Sequence, residues 1–210
     1  MKADIAVVID SMHIQTGSIE EVLASLDNLL KDVDISEERS KVSLYVANDD
    51  FLLDEHVGFR NNLDDFIFEA IDVIEAVKFY NESANSTYFD VGSILKEVGL
   101  RLQEDGQRSG DDVSDDVHTA VVMLQATEPV EFDEAKKQIR HFTDDVRGVV
   151  TVIADPGVFD SPSTQEEFTR SVEENNLLVQ SITETEISKV RNVVSKICRL
   201  PKVLNKSWKF

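Results

Sequence analysis

Asp4-Ile5-Ala6-Val7-Val8-Ile9-Asp10-Ser11-Met12-His13-Ile14-Gln15-Thr16-Gly17 is the stretch whose reading decides the fold. Five consecutive apolar residues stand between Asp4 and Asp10. A run that short, rich in valine and isoleucine, reads as a strand buried on both faces. It ends on a carboxylate, and the next periodic segment is a helix starting near Ser18. Ligands of α/β folds sit at the carboxyl ends of the strands. The turn after Asp10 is therefore the first place to look for a site.

Outward from this strand, apolar residues recur at 19, 22, 23, 26, 29, 30 and 33. That spacing predicts an amphipathic helix. Ser18 is its natural N-cap, and Glu21 completes a capping box. Residues 41–47 alternate and predict a second strand. A short strand over His56–Arg60 follows so closely that it must return antiparallel. A helix over Leu63–Val77 is next, capped by Asn61 or Asn62, with Asp64 and Asp65 in its first turn. A further helix spans about 90–103. Strands are expected at 118–124, 149–154 and 177–182, with helices at about 132–144, 163–174 and from Thr183 to Pro201. Strands separated by helices imply a doubly wound α/β fold. The expected sheet is six-stranded and mostly parallel, with one antiparallel edge strand and helices on both faces. One domain covers residues 1–200, and 201–210 is a basic tail or linker.

The 210 residues are 41% hydrophobic and 30% charged, enough for one good core. No run of 18 apolar residues is present, so no membrane span is expected. No apolar h-region precedes the first strand, and the abrupt start suits a piece of a larger protein. With 41 acidic and 21 basic residues, the net charge of −20 repels nucleic acid and favours basic partner surfaces. Cys198 is the sole cysteine, which excludes an internal disulfide. It reads as a buried inert thiol or as the donor of an intermolecular bridge.

The order of elements, with these residues, resembles the von Willebrand factor type A domain over about residues 4–200. Three stretches carry the resemblance. They are Asp4–Asp10, the second strand Lys41–Ala47, and Leu178–Thr183 with the closing helix Glu186–Cys198. The Ile197-Cys198 ending is like that of extracellular members. Members of the family usually bind a divalent cation through Asp-x-Ser-x-Ser after the first strand, a threonine from a middle loop and an aspartate ending the fourth strand. Oxygen ligands of that kind suit Mg²⁺. Asp10 matches the motif, but Met12 and Ile14 stand at the serine positions. Thr87 lies near the threonine with its spacing shifted, and Gln125 replaces the aspartate. The resemblance thus implies a degenerate metal-ion-dependent adhesion site. Without a metal, Asp10 needs hydrogen bonds, for which Gln125, a helix N-terminus or His13 are candidates.

Other chemistry is sparse. His56, His118 and His141 lack metal-ligand spacing. Neither a phosphate-binding glycine loop nor a nucleophile elbow is present. Asp10 and Asp155 both end strands, a placement common for turn aspartates. The acidic loop 104–116 offers Asp111, Asp112, Asp115 and Asp116 as weak Ca²⁺ ligands, or as a solvated loop. Asn81, Asn85 and Asn205 each begin a glycosylation tripeptide.

The expected function is a non-enzymatic adhesion domain of a secreted extracellular matrix-type glycoprotein, binding a matrix or cell-surface protein without a cofactor. Two alternatives stay open. One is an acidic matrix domain that binds Ca²⁺ or mineral, and the other is an intracellular scaffold subunit of the same fold.

Overall fold

The computed structural model describes residues 3–30, 33–36, 40–48, 51–79, 91–105, 117–124, 137, 149–154, 166 and 178–181. Its strands are β1 (Ala3–Asp10), β2 (Ser40–Asn48), β3 (Phe51–Arg60), β4 (Val117–Leu124), β5 (Val149–Ala154) and β6 (Leu178–Ser181). Its helices are α1 (Ser11–Thr16), α2 (Ile19–Leu30), α3 (Leu63–Phe79) and α4 (Val91–Asp105). The architecture is mixed α/β, as the alternation of patterns predicts. The strands lie in the order β3-β2-β1-β4-β5-β6. β2 pairs antiparallel with β3, and the other neighbours are parallel.

The apolar run places β1 at the centre. Every residue from Ile5 to Asp10 is buried, as is every residue from Val42 to Ala47. In register, Ile5 faces Val42, Val7 faces Leu44 and Ile9 faces Val46. These six share one side of the sheet and pack with Val22, Leu26, Leu29 and Leu30 of α2 and with Phe66, Ala70 and Ile74 of α3. Each fully buried large side chain contributes about 1.5–3 kcal/mol. Val8 and Tyr45 are paired on the opposite side. There α4 approaches β3 and β1, and its Ile94, Leu95 and Val98 are buried outside the first cluster. Ser43 is buried on this side too, and its hydroxyl donates to the Ile5 carbonyl at 3.4 Å. That bond offsets the desolvation of the hydroxyl.

Local signals set the helix starts. The Ser18 hydroxyl accepts from the Glu21 amide at 3.1 Å, and the Glu21 carboxylate accepts from the Ser18 amide at 3.0 Å. This is the reciprocal capping box read from the sequence. Asn62 is the cap of α3, its side-chain oxygen accepting from the Asp64 and Asp65 amides at 2.8 and 3.3 Å.

Two elements correct the sequence reading. Ser11–Thr16, which precedes the helix expected from Ser18, is itself helical, and its Ile14 buries its side chain on the α2/α3 side. β3 begins at Phe51 rather than at His56. Its register against β2 shifts between Val42 and Leu44 and again between Tyr45 and Ala47. Phe51–Glu55 lacks the apolar–polar alternation that marks a strand, so the longer β3 is not evident from the pattern.

Candidate functional site

β1 delivers Asp10 to the carboxyl edge of the sheet, and α1 begins at the next residue. Asp10 is only 3% exposed and Ser11 only 2%. Asp10 stands in register with Ala47, the penultimate residue of β2. The Ser11 hydroxyl donates to Oδ1 of Asn48, the last residue of β2, at 3.3 Å. A buried aspartate thus stands one residue before a serine that is hydrogen-bonded to an amide, at the adjoining ends of two neighbouring strands. Such a set can hold water or accept a polar ligand group. Sequence pattern does not single out Ser11 or Asn48, because Ser11 falls at a spacer position of the motif. The Asn48-Asp49-Asp50 turn signal was the available pointer to Asn48.

The motif position at Ile14 is decisive for the chemistry. Ile14 is 1% exposed and packs within the α2/α3 cluster. Its side chain carries no donor atom, so the hydroxyl expected there has been replaced by core. Among the described residues, no group of three or more His, Cys, Asp or Glu is placed to hold a metal ion. Of the other predicted positions, Thr87, Gln125, Asp155 and Cys198 lie outside the described residues, as do the side chains of Met12 and His13. So do Asp111, Asp112, Asp115 and Asp116, and the sequon asparagines Asn81, Asn85 and Asn205.

Two contacts hold the surroundings of this edge. Lys78, near the end of α3, donates to the carbonyl of Gly17, between α1 and α2. His56 of β3 stacks on Tyr45 of β2, with ring centroids 5.7 Å apart at 17°. Nδ1–H of His56 donates to the Asp54 carbonyl at 2.7 Å, which places a proton on that nitrogen. His56 is thereby engaged by its own strand and its neighbour, and serves packing.

No family model matches the chain, and no curated protein is similar to it in sequence. Solved structures are similar in fold. The PilB minor pilin from Streptococcus sanguinis matches with a TM-score of 0.58 and 14% identity, over 94% of this chain and 61% of that one. The chain therefore spans about three-fifths of the length of that pilin. The vWF domain of the type V pili tip protein Mfa5 from Porphyromonas gingivalis matches with a TM-score of 0.56 and 9% identity, over 96% of this chain and 98% of that one. The pilus adhesin SpaC from Lactobacillus rhamnosus GG, in its open conformation, matches with a TM-score of 0.55 and 11% identity, over 94% of this chain and 30% of that one. At these identities the likeness shows the fold alone: this chain shares an architecture with a vWF domain and with the pilin and adhesin structures.

Proposed function

We propose that the chain is a non-enzymatic, protein-binding adhesion domain of von Willebrand factor type A architecture, acting outside the cell and engaging its partner without a bridging cation. The observation that carries this reading is Ile14, buried in the core where the resemblance puts a cation-binding serine. A hard cation needs several oxygen ligands, and Asp10 alone of the opening motif supplies one. The fold likeness to pilus adhesins and minor pilins supports adhesion as the activity. The net charge of −20 favours a partner with a basic surface. The matrix setting, and glycans at Asn81, Asn85 and Asn205, belong to the same proposal.

A thermal melt tests it. Melting is followed in excess chelator and then in millimolar Mg²⁺, Mn²⁺ and Ca²⁺. An ion at about 100 times its dissociation constant adds about 2.7 kcal/mol, a shift of several degrees. No ion shifts the transition if the reading is right. A Mg²⁺ or Mn²⁺ shift that disappears in Asp10→Ala overturns it, and a Ca²⁺-only shift moves the function to the acidic loop 104–116. Retention of partner proteins on domain-coated beads should likewise survive chelator.

A further inference from the structure

α1 is six residues long, and a helix that short does not stand by itself in water. Contacts from distant parts of the chain hold it at both ends and in its middle. At its start, the Ser11 hydroxyl donates to Asn48 at the end of β2. In its middle, Ile14 is buried with α2 and α3. Just beyond its end, the Gly17 carbonyl accepts from the Lys78 ammonium, 61 residues away in the chain. The last carbonyls of a helix have no partner within it, and a lysine can supply one. Lys78 is the only basic residue of α3, α2 has none, and the chain carries 41 acids. In so acidic a chain this ammonium goes to a backbone carbonyl of another element.

The elements on either side of α1 are fixed without it. The Ser18–Glu21 capping box starts α2 on its own, so α2 keeps its N-terminus when α1 unwinds. β1 is paired along both flanks up to Ile9. Residues 11–17 are therefore a short strap between two anchored elements. α1 lies against β1, β2, α2 and α3, and it continues directly from the buried Asp10. We propose that α1 is an opening strap at the carboxyl edge of the sheet, latched by Lys78, and that release of the latch uncovers Asp10 and Ser11 to an incoming polar group. Ile14 must leave the core during the opening, which keeps the open form a minor one and draws the strap back. The motion belongs to the fold and does not depend on which partner the domain engages.

Hydrogen exchange of the full chain, followed residue by residue, tests it. Within α1 the Gln15 and Thr16 amides pair with the carbonyls four residues earlier. Lys78→Met keeps an apolar stem and removes the donor. Losing a hydrogen bond from a charged group should speed exchange of these two amides by about tenfold, with β1, β2 and α2 unchanged. Lys96→Met makes the same change at an exposed position of α4 and should leave α1 as it is. A thiol placed on the strap by Ser11→Cys, in a Cys198→Ser background, reports the uncovering itself. Its labelling should quicken by the same factor when Lys78→Met is added. Four results overturn the proposal. They are unchanged exchange of Gln15 and Thr16 in Lys78→Met, a rise shared equally by β1, β2 and α2, an equal rise in Lys96→Met, and a thiol whose labelling does not follow the exchange.

Discussion

Arg60 and Glu69 form a two-point ion pair between the end of β3 and the second turn of α3, with Nε to Oε1 at 2.7 Å and Nη2 to Oε2 at 2.6 Å. Donation to the Glu69 carboxylate raises the Arg60 pKa above its ordinary value, burial opposes the rise, and the charges of Glu69 and Asp65 add to it. The arginine's share of the pair's contribution is lost as pH climbs through the arginine range, and the pair also requires the Glu69 carboxylate to be charged. Both side chains are more than one-third exposed, so solvent screens the pair. Glu69→Gln should cost less than about 1 kcal/mol. Calorimetry should show a fall in Tm of no more than about 2–4 °C, smaller still in high salt. A larger, salt-independent fall would mean that the pair orders α3 as a whole.

Phe66 and Phe68 are two residues apart on α3 and opposite in consequence. Phe66 is fully buried between α3 and the sheet, whereas Phe68 faces water. Phe66→Ala should cost about 3–5 kcal/mol, and Phe68→Ala should stay within about 0.5 kcal/mol of the parent. Urea denaturation of the two variants side by side checks the contrast. Comparable losses would contradict the placement of α3.

Placing at position 14 the hydroxyl that the resemblance implies should not create a metal site. Ile14→Ser removes buried apolar volume and places a hydroxyl in the α2/α3 cluster. The expected loss is about 2–5 kcal/mol, with no new response to Mg²⁺. Isothermal titration with Mg²⁺ and a melt of the same variant decide the matter. Tight Mg²⁺ binding by a stable Ile14→Ser protein would show that α1 can turn this position to the sheet edge.

The capping box of α2 allows a pairwise test. Ser18→Ala should destabilise by about 1 kcal/mol through loss of the Glu21 amide's acceptor. Glu21→Ala should remove the reciprocal bond. In a double-mutant cycle the two losses should be less than additive, because each substitution disturbs the same turn. Strict additivity would indicate that one of the bonds contributes nothing in solution.

What the sequence reveals follows from how locally each feature is encoded. β1 and β2 carry unbroken apolar runs because both faces are covered, and the start of α2 is written in the Ser18–Glu21 pair. β3 is harder, since its register against β2 shifts twice and Phe51-Leu52-Leu53-Asp54-Glu55 carries no alternation of apolar and polar residues. α1 is hidden for another reason. It is six residues long, fewer than two turns, and among its described side chains Ile14 packs with α2 and α3. The Ser11–Asn48 bond joins positions 37 residues apart, which no local pattern announces. The failure of the metal motif at Ile14 is readable in the sequence; that the side chain goes into the core is not.

The position of β1 also has a consequence for the order in which the chain can be made. Ala3 pairs with Ser40 on one side and with Val117 on the other. A ribosome working at about 5–20 residues/s supplies the first partner early and the second only several seconds later. Through that interval one flank of Ile5–Ile9, an unbroken apolar run, has its backbone groups unclaimed. An unpaired strand edge of that kind invites pairing with another nascent chain. The central strand that anchors the finished domain is therefore its exposed liability during synthesis, and translation stalled before Val117 should yield the most aggregation-prone fragments.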